Sequence, residues 1–159
     1  MRKKVIIAGP HTSNWDFPLG VMVRSTIKDD IKYVGKSSLF KPPLGWIMTK
    51  LGGIGVDRSK STNFVQAVVD QYNKHEALTI LFAPEGSRSR VKKFKTGFYH
   101  VARLANIPIL PLVLDYKKKE FRFLPLFSIT GDEAKDISFL EQYYDGVPGY
   151  NPENGFYLS

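Results

Sequence analysis

Hydrophobic and polar positions are arranged in short blocks along the chain. Apolar runs that are rich in β-branched residues and end at glycine, proline or charged residues predict buried strands. Stretches in which apolar residues recur every three or four positions predict amphipathic helices. The strands are predicted at 5–9, 31–35, 53–56, 78–84, 108–116 and 120–129. The helices are predicted at 61–75, 97–106 and 136–144, the last with Asp136 at its N-cap.

The order of these elements predicts the fold class. Apolar strands that alternate with helices indicate an α/β fold, with a mostly parallel or mixed central sheet flanked by helices. The 159 residues match the size of one domain, 1–159, and no repeat or linker divides them. In open sheets of this kind, ligands bind beyond the carboxyl ends of the strands. We therefore expect functional side chains directly after strands, and polar clusters follow three of them.

The first cluster is His11 and Asp16, which follow the first strand. On one regular helix, two side chains five residues apart diverge by about 140°, so the pair can meet only if His11 precedes the helix. Pro18 favours a helix that begins at 15–17, because proline is tolerated in a first turn. Asp16 could then hold one imidazole nitrogen and leave the other for a substrate hydroxyl. The alternative is a capping aspartate beside an ordinary turn histidine.

The other two clusters are basic turns. Arg58 and Lys60 follow the third strand and precede a helix, but 52–62 fits neither common glycine-rich phosphate motif. Residues 85–88, "EGSR", follow the fourth strand and form a compact polar corner, yet they lack the G-x-S-x-G of a serine hydrolase. Taken singly, each turn is either a phosphate site or a solvated surface turn.

Composition narrows the classes of function. The chain has 23 Lys and Arg against 15 Asp and Glu, a net charge of +8, which attracts phosphate in nucleic acid, lipid headgroups or a cofactor. The absence of cysteine excludes disulfides and thiolate metal sites. The three histidines have no ligand spacing, so no metal is predicted. Apolar runs fall short of the ~20 residues that span a bilayer, and no secretory signal is visible.

Together the clusters resemble the motif set of the glycerolipid acyltransferases, the 1-acylglycerol-3-phosphate acyltransferase family. Residues 11–16 match its H-x4-D block, and 53–58 resemble its second block, which ends in arginine. Residues 85–89 are similar to its E-G-T-R-S block, with Ser87 in place of threonine, and 107–113 resemble its fourth, proline-flanked block. Four blocks in the right order between residues 5 and 115 are far more specific than any one of them.

The resemblance implies an O-acyltransferase of phospholipid biosynthesis. His11 would be the general base that activates a hydroxyl of a lysophospholipid such as 1-acylglycerol 3-phosphate, and Asp16 would orient its imidazole. The donor would be an acyl thioester, acyl-CoA or acyl-carrier protein, used as a co-substrate with no further cofactor. The implied substrate-binding residues are Arg58, Glu85, Gly86, Ser87, Arg88 and Lys36.

Two departures from the family pattern shape further expectations. Only ten residues precede His11, where family members often carry an apolar helical segment. We therefore expect a cytoplasmic protein held at an anionic membrane surface by basic and aromatic residues. The candidate stretches for that surface are 90–95, 117–119 and 143–150. The second departure is the C-terminal part, 116–159, which matches no family block.

Several alternatives remain open from the sequence. The acceptor could be glycerol 3-phosphate or another lipid, and water in its place would make a thioesterase. A non-catalytic module that binds anionic lipid is a different class, although it would not need a base beside an aspartate. A nucleic-acid binder is disfavoured, because no recognisable nucleic-acid motif is present.

Overall fold

Strands and helices alternate along most of the chain. The structure is a computed structural model that describes residues 2–14, 16–26, 30–56 and 61–158, with the backbone alone at 17, 19, 23, 26, 36 and 61–63. One-turn 3-10 helices lie at Ser37–Phe40 and Pro152–Asn154. The other elements are β1 Lys3–Gly9, α1 Asp16–Thr26, β2 Ile31–Lys36, α2 Gly45–Lys50, β3 Gly53–Val56, α3 Ser61–Lys74, β4 Leu78–Phe82, α4 Gly97–Ala105, β5 Ile109–Asp115, β6 Glu120–Phe123 and α5 Glu133–Gln142.

The six strands form one sheet in the order β3-β2-β4-β1-β5-β6. Every neighbouring pair is parallel except β5 and β6, which are antiparallel. The predicted α/β fold with a mostly parallel or mixed sheet is therefore confirmed. The chain leaves β1 toward β2 on one side and leaves β4 toward β5 on the other. A crevice forms at such a reversal, between β1 and β4, and ligands bind there in open sheets.

The two faces of the sheet are packed differently. In β1, Val5 and Ile7 point into a large cluster that includes residues of α3, α4 and α5, such as Tyr72, Phe98 and Leu140. The intervening Ile6 and Ala8 belong to a smaller cluster with Ile31, Leu112 and Leu114. Because side chains alternate along a strand, the small cluster lies on the opposite face. The packed face holds most of the buried aromatic area, and the other face borders the open cleft described below.

The strand predicted at 120–129 is too long. β6 ends at Phe123, and Pro125 lacks the N–H that continued pairing needs. The chain then returns so that Phe127 forms an isolated antiparallel bridge with Ile109. The pattern also did not predict α2 or the 3-10 turn before it. Their short lengths leave too few residues to show a helical period.

The predicted start of the last helix is wrong. α5 begins at Glu133, and Asp132 is its N-cap, with a side chain that accepts from the Lys135 N–H at 3.2 Å. Asp136 lies within the first turn of the helix, where its side chain is buried rather than exposed as a cap. The two aspartates are four residues apart, so both satisfy a capping pattern and only packing distinguishes them.

One predicted surface residue is also wrong. Tyr144 belongs to the stretch 143–150, for which exposed aromatic side chains were expected. Its ring is fully buried, and its hydroxyl donates to the Ile7 carbonyl at 2.8 Å. Tyr150 in the same stretch is exposed, as expected. The C-terminal part therefore contributes to the core as well as to the surface.

Candidate active site

The turn between β1 and α1 brings His11 and Asp16 together. The Nδ1 atom of His11 lies 2.9 Å from Oδ2 of Asp16. α1 begins at Asp16, so the predicted helix start at 15–17 is confirmed. His11 precedes the helix and the chain turns between the two residues. The local sequence thus produces the pair that the spacing predicted.

The carboxylate of Asp16 is almost saturated with donors. Oδ2 also accepts the N–H groups of Thr12 and Ser13, at 2.9 and 3.0 Å, and Oδ1 accepts the hydroxyl of Tyr116. Burial alone would raise the pKa of Asp16, but the hydrogen bonds from His11, Tyr116 and Ser13 outweigh it and hold that pKa below its ordinary value. An ionised carboxylate can only accept, so Nδ1 of His11 carries the proton of this bond.

The imidazole opens toward solvent on its other side. The His11 side chain is 30% exposed, while that of Asp16 is 4% exposed. No hydroxyl-bearing side chain among the described residues hydrogen-bonds the imidazole. In the neutral imidazole Nε2 is then the acceptor, and His11 lines the cleft. This arrangement suits a base for an incoming hydroxyl and supplies no nucleophile of the protein's own beside it.

Glu85 supports the histidine from the neighbouring strand. It directly follows β4 and Pro84, and its Oε1 accepts the His11 backbone N–H at 2.7 Å. Its other oxygen, Oε2, is buried and finds no donor among the described residues. Burial raises the pKa of Glu85 to about 7, with the His11 N–H opposing that rise and Asp16 adding to it. Glu85 is thus a buried support for the backbone of His11 rather than an exposed ligand group.

The three residues after Glu85 are exposed at the mouth of the cleft. Gly86 has φ +68°, a left-handed conformation that favours glycine, and a Cβ there would lie 2.5 Å from Cδ of Lys95. The backbone N–H of Ser89 donates to the Ser87 hydroxyl at 3.2 Å, which closes the turn. Glycine is therefore favoured at this position by the backbone conformation and by the close packing of the Lys95 side chain against it. Arg88 is left exposed beside the cleft.

The cleft itself has a volume of about 1560 Å³. His11, Asp16 and the turn 86–89 line its polar part. Apolar side chains line much of the remainder, among them Val21, Leu81, Phe82, Leu112, Leu114 and Phe121. Ligand pockets are commonly ~300–1,000 Å³, so this cleft is large enough for a long ligand with one polar end.

The side chains of two predicted site residues lie outside the described part of the structure. Arg58 lies outside the described residues, as does Lys60. Lys36 ends β2, at the same edge of the sheet as the other clusters, but its side chain also lies outside the described part. Residues 107–113 form the start of β5, whose Leu112 lines the cleft.

Two residues of the C-terminal part reach the site and were missed from the sequence. The Tyr116 hydroxyl donates to Asp16, as noted above. Asn151 binds Thr12 twice, from its N–H to Oγ1 at 3.1 Å and from Nδ2 to the carbonyl at 2.8 Å. No local pattern could have indicated their partners, because Tyr116 lies 100 residues from Asp16 and Asn151 lies 139 residues from Thr12.

The fold and the site together define a class of protein, an α/β protein with a histidine–aspartate pair in a cleft. An imidazole held by an aspartate faces a large apolar cleft at the carboxyl end of a mostly parallel sheet. The described residues contain no helix long and apolar enough to cross a membrane. Within that same part of the chain, no group of three metal-binding side chains comes together.

Comparisons with known proteins identify the family. The Acyltransferase family model matches residues 1–115, so the chain belongs to the acyltransferase family, and the predicted resemblance is confirmed. The 1-acyl-sn-glycerol-3-phosphate acyltransferase of Salmonella typhimurium is 33% identical over 109 residues, 64% of this chain and 43% of that protein. The Saccharomyces cerevisiae protein of the same name is 32% identical over 128 residues, 71% of this chain and 39% of its own length.

A solved structure confirms the fold. The 1-acyl-sn-glycerophosphate (LPA) acyltransferase PlsC from Thermotoga maritima aligns with a TM-score of 0.65 over 89% of this chain and 63% of that chain. The two sequences are 18% identical in that alignment, so the likeness concerns the fold alone. The chain spans less than half the length of the curated relatives named above.

Proposed function

We propose that this protein transfers an acyl group from a thioester to a hydroxyl of a phosphorylated glycerolipid such as 1-acylglycerol 3-phosphate. The observation that carries the proposal is the His11–Asp16 pair, in which Oδ2 of Asp16 lies 2.9 Å from Nδ1 and His11 lines the cleft. The family membership supports acyl transfer, and the names of the relatives support this acceptor. Among the described residues no nucleophilic side chain hydrogen-bonds the imidazole, which favours direct attack by the acceptor.

The proposed reaction proceeds in two proton transfers. Nε2 of His11 takes the acceptor's hydroxyl proton while the hydroxyl oxygen attacks the thioester carbonyl carbon. The tetrahedral intermediate collapses, the C–S bond breaks, and the imidazolium returns the proton to the leaving sulfur. The products are an ester and a free thiol, and His11 is neutral again. Asp16 stabilises the imidazolium between the two steps and keeps the ring in place.

Arg88 is the proposed site for the acceptor's phosphate. Its guanidinium is exposed and lines the same cleft as His11, where a bidentate contact to phosphate would orient the hydroxyl toward Nε2. Ser87 and the backbone of Gly86 lie beside it. We also propose Arg58 and Lys36 as phosphate ligands, on the family resemblance alone. The role proposed for Glu85 is to fix the His11 backbone rather than to bind substrate.

The apolar part of the cleft is the proposed place for an acyl chain. Leu81, Leu112 and Leu114 lie on the sheet face that carries the smaller core, and Val21 of α1 lines the same space. Burial of each methylene group contributes roughly 0.8 kcal/mol, so a long chain is held mainly by this surface. A basic surface suits the phosphates of CoA and an acidic carrier protein equally, so the donor panel below includes thioesters of both.

Attachment to an anionic membrane surface is also proposed. The described residues expose an apolar cluster around α2, with Leu44 and Trp46 more than 60% exposed and Leu39 half exposed. Lys50 lies beside the cluster, with Nζ 5.3 Å from the centre of the Trp46 ring. Apolar and cationic side chains together suit the boundary between lipid tails and anionic headgroups. The basic stretches 90–95 and 117–119 also expose their lysines.

The test is thiol release from acyl-CoA and acyl-carrier thioesters of several chain lengths, with and without lysophosphatidic acid in anionic vesicles. We expect acceptor-dependent release, and His11→Ala should lower kcat/KM by about 10²–10⁴-fold, the usual contribution of a general base. His75→Ala is the matched control, because His75 is exposed at the end of α3 and does not line the cleft.

Other outcomes would overturn the proposal. Release without an acceptor would indicate a thioesterase, and lipid binding without turnover in the folded protein would indicate a binding module. Arg88→Ala should raise the KM for lysophosphatidic acid far more than the KM for the thioester. Equal effects on both would remove Arg88 from the acceptor site. Binding to zwitterionic vesicles as strong as to anionic ones would contradict the proposed membrane surface.

A further inference from the structure

Part of the hydrogen bonding that holds Asp16 comes from outside the residues that the family model matches. The family match ends at residue 115, and the residue that completes the hydrogen bonding of Asp16 is Tyr116. Of the two carboxylate oxygens, Oδ2 serves the turn itself, through His11, Thr12 and Ser13. Oδ1 accepts from Tyr116 alone among the described residues. One side of the carboxylate therefore depends on a side chain 100 residues away.

Tyr116 is itself held by the C-terminal segment 148–151. Its backbone N–H donates to the Pro148 carbonyl at 3.2 Å, and its ring meets the Tyr150 ring edge-on, with centroids 5.7 Å apart. Burial and the contact with Asp16 raise the pKa of Tyr116 above its ordinary value, so the hydroxyl is a donor at neutral pH. These contacts leave the hydroxyl few alternatives to the carboxylate.

The same segment also binds the turn that carries His11. Asn151 makes the two hydrogen bonds to Thr12 described above, one to its hydroxyl and one to its carbonyl. Gly149 allows this close approach, because a Cβ there would lie 2.5 Å from Oγ1 of Thr12. Segment 148–151 therefore contacts Thr12 and Tyr116, and each of these two residues also binds Asp16.

We infer that Tyr116, supported by segment 148–151, is a positioning residue that fixes the Asp16 carboxylate and, through it, the ring of His11. The expected effect on kcat rests on the proposed function. The expected effect on the imidazole rests on the hydrogen bonds alone. Without the tyrosine hydroxyl, Oδ1 would lose its donor and the carboxylate could rotate away from Nδ1.

The test compares Tyr116→Phe with Tyr157→Phe, which removes a hydroxyl that donates to the Pro152 carbonyl instead of to Asp16. We expect Tyr116→Phe to lower kcat by about tenfold with little change in KM, because a hydrogen bond to a charged group contributes on that scale. Tyr157→Phe should leave both constants unchanged. Asn151→Ala, which keeps the tyrosine, should lower kcat by about threefold, the contribution of one neutral hydrogen bond.

A second measurement does not depend on turnover. Proton NMR follows the His11 imidazole, which is assigned with His11→Ala among only three histidines. In Tyr116→Phe, the ring resonances of His11 should shift, because the carboxylate that binds Nδ1 loses its second hydrogen bond, while those of His75 and His100 should stay in place. Unchanged kcat and unchanged His11 ring resonances in folded Tyr116→Phe would overturn the inference. If the native protein transfers no acyl group, the proposed function fails, while the NMR shift still decides the role of Tyr116.

Discussion

Two buried aspartates in this protein are held in nearly the same way. Asp16 is 7% exposed and Asp136 is 2% exposed. Each accepts a tyrosine hydroxyl, Tyr116 at Asp16 and Tyr99 at Asp136, and each accepts backbone N–H groups. In both, burial would raise the pKa of the carboxyl, but the hydrogen bonds outweigh it and hold the pKa below its ordinary value.

The difference lies in the remaining donor. Asp136 takes the Thr130 hydroxyl at 2.7 Å, which is another fixed group inside the fold. Asp16 takes the imidazole of His11, which opens into the cleft. The hydrogen bonds of Asp136 connect α5 to Tyr99 of α4 and to Thr130 of the preceding loop, so they stabilise the fold. At Asp16 the negative charge acts on a group that can gain a proton. A buried, fully hydrogen-bonded aspartate is therefore not evidence of catalysis; the exposure of its partner is.

Asp16→Asn should produce the largest effect. An asparagine cannot accept on both sides, so either Tyr116 or the Nδ1 proton of His11 meets an amide N–H instead of an oxygen. We expect kcat/KM to fall by about a hundredfold or more, because the imidazole loses both its orientation and its stabilising charge. Steady-state kinetics on the folded variant measure this. A loss of the same size in Asp136→Asn, per folded molecule, would contradict the distinction.

Asp136→Asn should instead affect stability. The change leaves an amide N–H facing the donors Tyr99 and Thr130, and an unsatisfied buried polar group costs roughly 1–3 kcal/mol. We expect the free energy of unfolding to fall by about 2 kcal/mol in urea titrations. The kcat/KM of the folded fraction should match that of the native protein. A selective loss of turnover would show that Asp136 communicates with the site.

Glu85→Gln tests another buried carboxyl, the one beside His11. The folded pKa is raised from 4.5 to about 7, so the folded state binds the proton more tightly than the unfolded state does. The native protein should therefore lose stability as pH rises from 4.5 to 7, by an amount on the order of 2–3 kcal/mol. Gln does not titrate, so the stability of the variant relative to the native protein should improve across this window. Urea titrations at both ends of the window measure the change, and a constant difference would refute it.

Tyr99→Phe is the smallest change and the counterpart of Tyr116→Phe. The pKa of Tyr99 is raised to about 12 by burial and by its bond to Asp136, so its hydroxyl is a donor at neutral pH. Its loss should lower the free energy of unfolding by about 1 kcal/mol and leave kcat unchanged. Urea titration and steady-state kinetics on the same sample provide both numbers. If kcat fell as in Tyr116→Phe, the two networks would be equivalent and the comparison would fail.

Much of the fold follows from local patterns. The buried strands β1, β4 and β5 were predicted within a few residues, because each is a continuous apolar run bounded by glycine, proline or charge. The prediction failed where two local signals competed. Asp132 and Asp136 both fit an N-cap, and α5 begins after the first of them because the second is needed by Tyr99 and Thr130. Burial decided between two residues that the pattern could not separate.

The candidate site divides in the same way. His11 and Asp16 lie five residues apart and meet through a turn that the chain itself specifies, so spacing and Pro18 were enough to pair them. Glu85 and Arg88 could be placed near them only by the rule that strand ends share one edge of the sheet. The sequence alone thus determined the fold class, the family and the order of the chemical groups. Tyr116 and Asn151 reach Asp16 and Thr12 across 100 and 139 residues, because β5 lies beside β1 and the C-terminal segment folds back over both. Such contacts have no local signal, since only packing of the whole sheet brings their partners together.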